Sequence, residues 1–190
     1  LPDYDDPLDD VRIVYDADLP ARSGLGTSSS FAVGLLSALY CLEGKYADKK
    51  RLADEAVYLE RILCEEAGGL QDQIAAAFGG FNRINFSSNG YEVRPVIMTE
   101  ARKRKLNENL MMFFTGFVRS SSEIQKMNGM MIAEKERNLV EMLGLVDKAE
   151  RILNDESTSL SEFGNLLDYT WALKKSNGKA VSNGLIDEMY

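Results

Sequence analysis

Residues 24–30 read Gly-Leu-Gly-Thr-Ser-Ser-Ser and stand directly before a stretch patterned as a helix. A glycine-rich turn that opens a helix leaves backbone N–H groups unpaired, with the positive end of the helix dipole behind them, so an anion such as phosphate is the natural occupant. Gly24 and Gly26 can take backbone angles closed to other residues, and Thr27, Ser28, Ser29 and Ser30 add hydroxyls suited to phosphate oxygens or a magnesium ion. No lysine follows as in the Walker A loop, and the third glycine of the dinucleotide fingerprint is replaced by serine. The same residues also suit a plain helix cap at Ser28 or Ser29, and spacing leaves both readings open.

The elements that would carry this loop follow from periodicity. Residues 11–15, Val-Arg-Ile-Val-Tyr, alternate and are β-branched, which predicts a strand ending at Leu19-Pro20. From Ser28, Phe31, Leu35, Leu36, Leu39 and Leu42 recur at helical spacing as far as Gly44. A second helix is predicted over residues 49–65, with Leu52, Ala56, Leu59, Ile62 and Leu63 on one side, stopped by Gly68-Gly69. A short helix at 73–78 precedes two segments, 81–86 and 91–97, whose intervening Asn89-Gly90 marks a hairpin. Residues 110–114, Leu-Met-Met-Phe-Phe, read as a short buried strand. Helices are predicted over 123–153, with a bend near Asn128-Gly129, and over 160–175. The expected fold class is α+β, without repeats.

Composition narrows the chemistry. The 190 residues suit one ordinary domain or two small ones. A formal charge of -8 argues against nucleic acid as a partner, since such proteins spend Lys and Arg on phosphates. The absence of histidine removes Ser-His-Asp and Cys-His catalysis and His-ligated zinc, leaving carboxylates, hydroxyls, amides, cations or a bound metal. No apolar run is long enough to cross a membrane, and the acidic residues 1–10 lack the regions of a secretion signal, so the expected address is the cytoplasm. Cys41 and Cys64 fall in apolar helical patterns and are expected as buried free thiols. Trp171, among Phe163, Leu166, Leu167 and Leu173, is expected in a core, and Arg102-Lys103-Arg104-Lys105 as a solvated helix face.

The longer string Leu19-Pro20-Ala21-Arg22-Ser23-Gly24-Leu25-Gly26-Thr27-Ser28-Ser29-Ser30 resembles the second motif of the GHMP kinases. Looser similarity continues through Gln71-Asp72-Gln73, residues 75–81 (Ala-Ala-Ala-Phe-Gly-Gly-Phe) and residues 115–121 (Thr-Gly-Phe-Val-Arg-Ser-Ser). Within that superfamily the chain looks most like the D-glycero-D-manno-heptose 7-phosphate kinases. The resemblance implies a two-layer α/β N-terminal domain over residues 1–100 and a ferredoxin-like C-terminal domain, left incomplete, over residues 101–190. It implies ATP as phosphoryl donor, Mg2+ as cofactor and a small-molecule sugar phosphate as acceptor, and it leaves the oligomeric state open.

Site residues carry over one by one. The resemblance places the ATP phosphates on Gly24, Leu25, Gly26, Thr27, Ser28 and Ser29, and the magnesium on Ser28 and Glu60. Read without the resemblance, Glu60 and Arg61 would be ordinary exposed helix residues. The family's catalytic aspartate falls on Asp72, expected to accept or orient the proton of the attacking sugar hydroxyl. Spacing alone would equally make Asp72 the N-cap of the helix at 73–78. Arg119, beside Ser120, is a candidate for neutralising phosphate on substrate or nucleotide, with a plain surface arginine as the alternative. The family's first and third motifs have no match, so the resemblance implies an internal piece of such a kinase, with exposed edges and reduced stability unless further segments cover them. A module that binds nucleotide or a partner without turnover is the competing class.

Overall fold

The computed structural model describes residues 11–18, 24–115, 132–176 and 181–190, with the backbone alone for 132–135. Two compact units emerge, Leu1–Phe78 and Gly79–Tyr190.

The first unit is helical in its described part. Helix α1, Thr27–Leu42, starts after Gly26, whose φ of 69° is left-handed and favours glycine. No side chain caps it, so the expectation of a serine cap is not met. At its other end Gly44 N–H donates to Cys41 O and Lys45 N–H to Tyr40 O, a Schellman closure. Helix α2, Lys49–Tyr58, is capped by Asp48, whose side chain accepts from Arg51 N–H at 2.7 Å. It runs directly into a π-turn, Leu59–Leu63, closed by Cys64 N–H on Leu59 O. Helix α3, Gln71–Phe78, ends with its last carbonyl accepting from Lys49 Nζ at 2.7 Å. The core of the unit joins Ala32 and Val33 of α1 to Ala56 of α2, with Leu36, Leu52, Leu59, Ala76 and Ala77 packed around them. Small residues at the centre let the helices approach closely, and each buried methyl stabilises by about 0.8 kcal/mol.

The π-turn changes the predicted second helix. One extra residue in the hydrogen-bonded ring advances the following side chains by about 100° around the axis. Ile62 and Leu63, expected on the apolar side, are exposed as a result. Glu60, expected exposed, is 4% accessible because it lies four residues after Ala56 and seven after Ala53, on the same buried face. The cysteines also differ from expectation: Cys41 and Cys64 are exposed free thiols, one in the last turn of α1 and the other just past the π-turn.

In the second unit, β1 (Asn82–Ser87) and β2 (Gly90–Pro95) pair antiparallel with Ser87 opposite Gly90, so the two turn residues are Ser88 and Asn89. Helix α4, Glu100–Glu108, is followed by α5, Ile132–Asn154, α6, Leu160–Ser176, and the short α7, Gly184–Met189. Arg83 of β1 is bonded to Asp147 and Glu150 of α5, both at 2.6 Å. Arg102 does not belong to a solvated face. It is 7% accessible and donates to the carbonyls of Ile152, Leu153 and Thr158, closing the C-terminal end of α5, while Lys103, Arg104 and Lys105 face solvent as expected. Trp171 is half-buried against the Tyr190 ring, with centroids 5.8 Å apart.

Neither residues 11–15 nor 110–114 form a strand, and Leu110, Met111, Met112, Phe113 and Phe114 are all exposed. Propensity marks a segment able to pair, but a strand exists only with a partner, and among the described residues none pairs with either. The bend expected near Asn128-Gly129 lies outside the described residues. The class is α+β, with a two-stranded sheet among the described residues.

Candidate phosphate and cation site

The loop ends in a run of N–H groups with no intrahelical partner. Ser30 N–H is the first to bond back, to Gly26 O at 3.0 Å, which leaves those of Thr27, Ser28 and Ser29 at the open, uncapped end of α1. Leu25 and Ser28 are exposed, so both N–H groups and hydroxyl face an approachable surface.

Two carboxylates converge on this helix start from different elements. Glu60, on the buried face that Ala53 and Ala56 share, accepts from Ser28 Oγ on Oε1 at 2.5 Å and from Ser29 Oγ on Oε2 at 2.8 Å. Gln73 Nε2 of α3 donates to the same Oε2. Burial works against charge on Glu60, but the Ser28, Ser29 and Gln73 donors, with Arg61 nearby, outweigh it and hold the group below the usual carboxylate range. Asp72 approaches from the first turn of α3: a Cβ built on Gly26 would lie 3.7 Å from Asp72 Cγ. Asp72 is exposed and sits inside α3, one residue after its start, rather than capping a helix that begins at 73.

Arg61, the neighbour of Glu60, was also read as a surface residue. It is half-buried and donates to Glu66 O at 3.1 Å and Gly69 O at 2.7 Å, stapling the segment that leads into Asp72. A Cβ at Gly68 would lie 2.4 Å from Arg61 Nη2, so a larger residue there would displace the guanidinium from these carbonyls. Sequence reasoning had no signal for this role beyond the Gly68-Gly69 pair itself.

The donor set suits a small hard cation. An ionised carboxylate and a hydroxyl lie side by side next to the uncapped start of α1, and magnesium is commonly held by one or two carboxylates with substrate phosphates and water completing its shell. Among the described residues no three His, Cys, Asp or Glu side chains converge as a closed cage. Of the residues singled out from sequence, Gly26, Ser28, Ser29, Glu60 and Asp72 are brought together, with Gly24, Leu25 and Thr27 on the same loop and helix start. Arg119 and Ser120 lie outside the described residues. Gln73 was not singled out as a site residue, although its place beside Asp72 in Gln71-Asp72-Gln73 was on view.

Residues 2–80 match the family model described as the GHMP kinases N terminal domain. The chain is 30% identical over 178 residues to a D-glycero-alpha-D-manno-heptose 7-phosphate kinase of Campylobacter jejuni subsp. jejuni, covering 92% of this chain and 52% of that protein. It is 26% identical over 182 residues to an L-fucokinase/L-fucose-1-P guanylyltransferase of Bacteroides fragilis, covering 87% of this chain and 18% of that one. The crystal structure of a D-glycero-D-manno-heptose 1-phosphate kinase from Bacteroides thetaiotaomicron superposes with a TM-score of 0.65 at 28% identity, over 84% of this chain and 46% of that one. The chain thus spans about half the length of the two heptose phosphate kinases it matches. The glycine loop, Glu60 and Asp72 are assembled inside the segment, residues 2–80, that is similar to the GHMP kinases N terminal domain.

Proposed function

We propose that the protein transfers the γ-phosphate of ATP to a hydroxyl of a sugar phosphate, with the anomeric hydroxyl of D-glycero-D-manno-heptose 7-phosphate as acceptor. The observation that carries this reading is the convergence of Glu60 on Ser28 beside a helix start whose loop glycine, Gly26, borders Asp72. The N–H groups at 24–29 receive the nucleotide phosphates, and Ser28 with Glu60 would hold magnesium, which supplies charge neutralisation on the transferring group. Asp72 accepts the proton of the attacking hydroxyl as its oxygen bonds to the γ-phosphorus. The bond from that phosphorus to the bridging oxygen breaks, and ADP leaves. Arg119, with Ser120 beside it, would neutralise the phosphate already on the sugar.

The acceptor rests on the name of the C. jejuni relative, while the fucokinase relative favours a second reading, another GHMP sugar or alcohol kinase. An N-terminal domain reaching to about residue 100, a ferredoxin-like domain beyond it and a cytoplasmic address belong to the same proposal. Among the described residues no helix is long and apolar enough to cross a membrane.

The test is calorimetry of magnesium-dependent ATP binding by the chain, with Gly26→Asp setting a carboxylate where phosphate should lie. Binding lost in that variant supports the site and directs an acceptor screen with heptose, fucose and galactose substrates. Equal binding by the parent and by a folded Gly26→Asp would move the nucleotide elsewhere. A folded chain that binds in neither form would favour the plain structural role for the loop.

A further inference from the structure

The two oxygens of Glu60 are held differently. Oε1 meets Ser28 on the exposed side of the cluster, whereas Oε2 is gripped from within by the Ser29 hydroxyl and the Gln73 amide, and Ser29 is 4% and Gln73 0% accessible. Gln73 Oε1 is buried and has no hydrogen-bond partner. An orphaned acceptor is costly, and a leucine or methionine would fill this space without it, so packing alone does not account for glutamine here. Turning the amide over would set its carbonyl oxygen against the carboxylate, so charge requires the donating orientation. Gln73 also follows Asp72 directly, and the first turn of α3 therefore presents Asp72 to solvent and Gln73 to Glu60.

We propose that Gln73 and the Ser29 hydroxyl are positioning residues that clamp Oε2 of Glu60 and leave Oε1, with the Ser28 hydroxyl, to face a divalent cation. Ser29 then offers nucleotide its backbone N–H and turns its hydroxyl inward, so its role differs from that of Ser28. Because Gln73 and Asp72 share one turn of helix, the clamp also ties the cation side of the site to the acceptor side. This inference rests on the kinase reading above.

Two titrations on the full chain test it. In the first, the Glu60 carboxyl is followed against pH by 13C NMR in the parent, Gln73→Met and Ser29→Ala. The expected result is a rise in the Glu60 titration midpoint in both variants, since each removes a donor to the charged form. A midpoint unmoved in both overturns the clamp. In the second, ADP binding is measured with and without Mn2+ by water-proton relaxation and calorimetry. Gln73→Met should weaken Mn2+-dependent binding about tenfold while metal-free ADP binding stays within about twofold, the range seen when partners of metal ligands are removed. Equal weakening of both would make Gln73 a residue of the fold only. Gln73→Glu keeps the shape but donates only when protonated, so its Mn2+ affinity relative to the parent should change between about pH 5 and 8; a constant ratio overturns the donor role. A parent that binds no nucleotide while its Glu60 midpoint still shifts on substitution would sink the phosphate-site reading and reduce the clamp to a structural contact.

Discussion

The hydroxyl of Ser28, in the first turn of α1, lies 2.5 Å from Glu60 Oε1 in the π-turn after α2, across 32 positions of sequence. The start of one helix and the turn that ends another thereby share one hydrogen bond at the uncapped end of α1. Glu60→Gln keeps the shape but removes the charge and turns one acceptor into a donor facing the Ser28 hydroxyl, or the Ser29 hydroxyl and the Gln73 amide. We expect magnesium-dependent ATP binding to fall by about 10- to 100-fold, with metal-free nucleotide binding nearly unchanged, as measured by calorimetry with and without EDTA.

Asp72 borders the loop without bonding to the Ser28, Ser29 and Glu60 cluster described above. In Asp72→Asn, sugar-dependent ADP release should drop by about 10²- to 10⁴-fold while the ATP dissociation constant changes less than about threefold. Equal turnover in the variant would remove Asp72 from proton transfer and return it to a helix-start residue.

The staple by Arg61 predicts coupled effects on stability. Arg61→Met frees two carbonyls, and Gly68→Ala drives a methyl into the guanidinium, so each change breaks the same pair of bonds. Each should cost about 1–2 kcal/mol in urea unfolding. The double variant should cost about as much as either single one, because nothing is left for the second change to break.

Arg102 serves three carbonyls at the end of α5 and in the turn after it. Arg102→Met should destabilise the second unit by about 2–3 kcal/mol, measured by hydrogen exchange of α5 and α6 amides, through loss of charged donors from buried acceptors. Arg102→Lys should recover only part of this, since a single ammonium does not span the three acceptors as the planar fork does.

Stability should depend on acid through depressed carboxylates, Asp155 and Glu60 among them. Thr158 and Ser157 donate to Asp155 and hold it at about 2, below its ordinary 3.8, and Glu60 is likewise held below its ordinary 4.5. A depressed group contributes stability that is full above the ordinary value and is lost as pH falls through the folded value. Thermal stability should therefore hold from neutral to about pH 5 and decline between about pH 4 and 2. Asp155→Asn should flatten the lower part of that limb.

Much of the site was legible residue by residue. Gly24 to Ser30 stands as the turn and first turn of a helix, and Asn89-Gly90 marks a hairpin whose turn residues prove to be Ser88 and Asn89. Such features depend on backbone angles and side-chain periods over a few residues, which sequence encodes directly. The expected strands at 11–15 and 110–114 lacked that status, because a strand needs a partner that its own residues do not specify.

Sequence by itself determined the chemistry available to the protein: an anion-binding helix start, hydroxyls and carboxylates, and no histidine. Its resemblance also pointed to Glu60 and Asp72. Tertiary structure alone decided that Glu60 is buried against Ser28, Ser29 and Gln73, that Arg61 staples the approach to Asp72, and that Arg102 closes α5. The reason is distance along the chain. The extra residue in the hydrogen-bonded ring of the π-turn sets Ile62 and Leu63 out to solvent, although a 3.6-residue period carried through residues 49–65 keeps them on the apolar side. The same period sets Glu60 on the buried face of Ala53 and Ala56, but the donors that meet it there, on α1 and α3, lie 13 to 32 positions away, and no local pattern reports them.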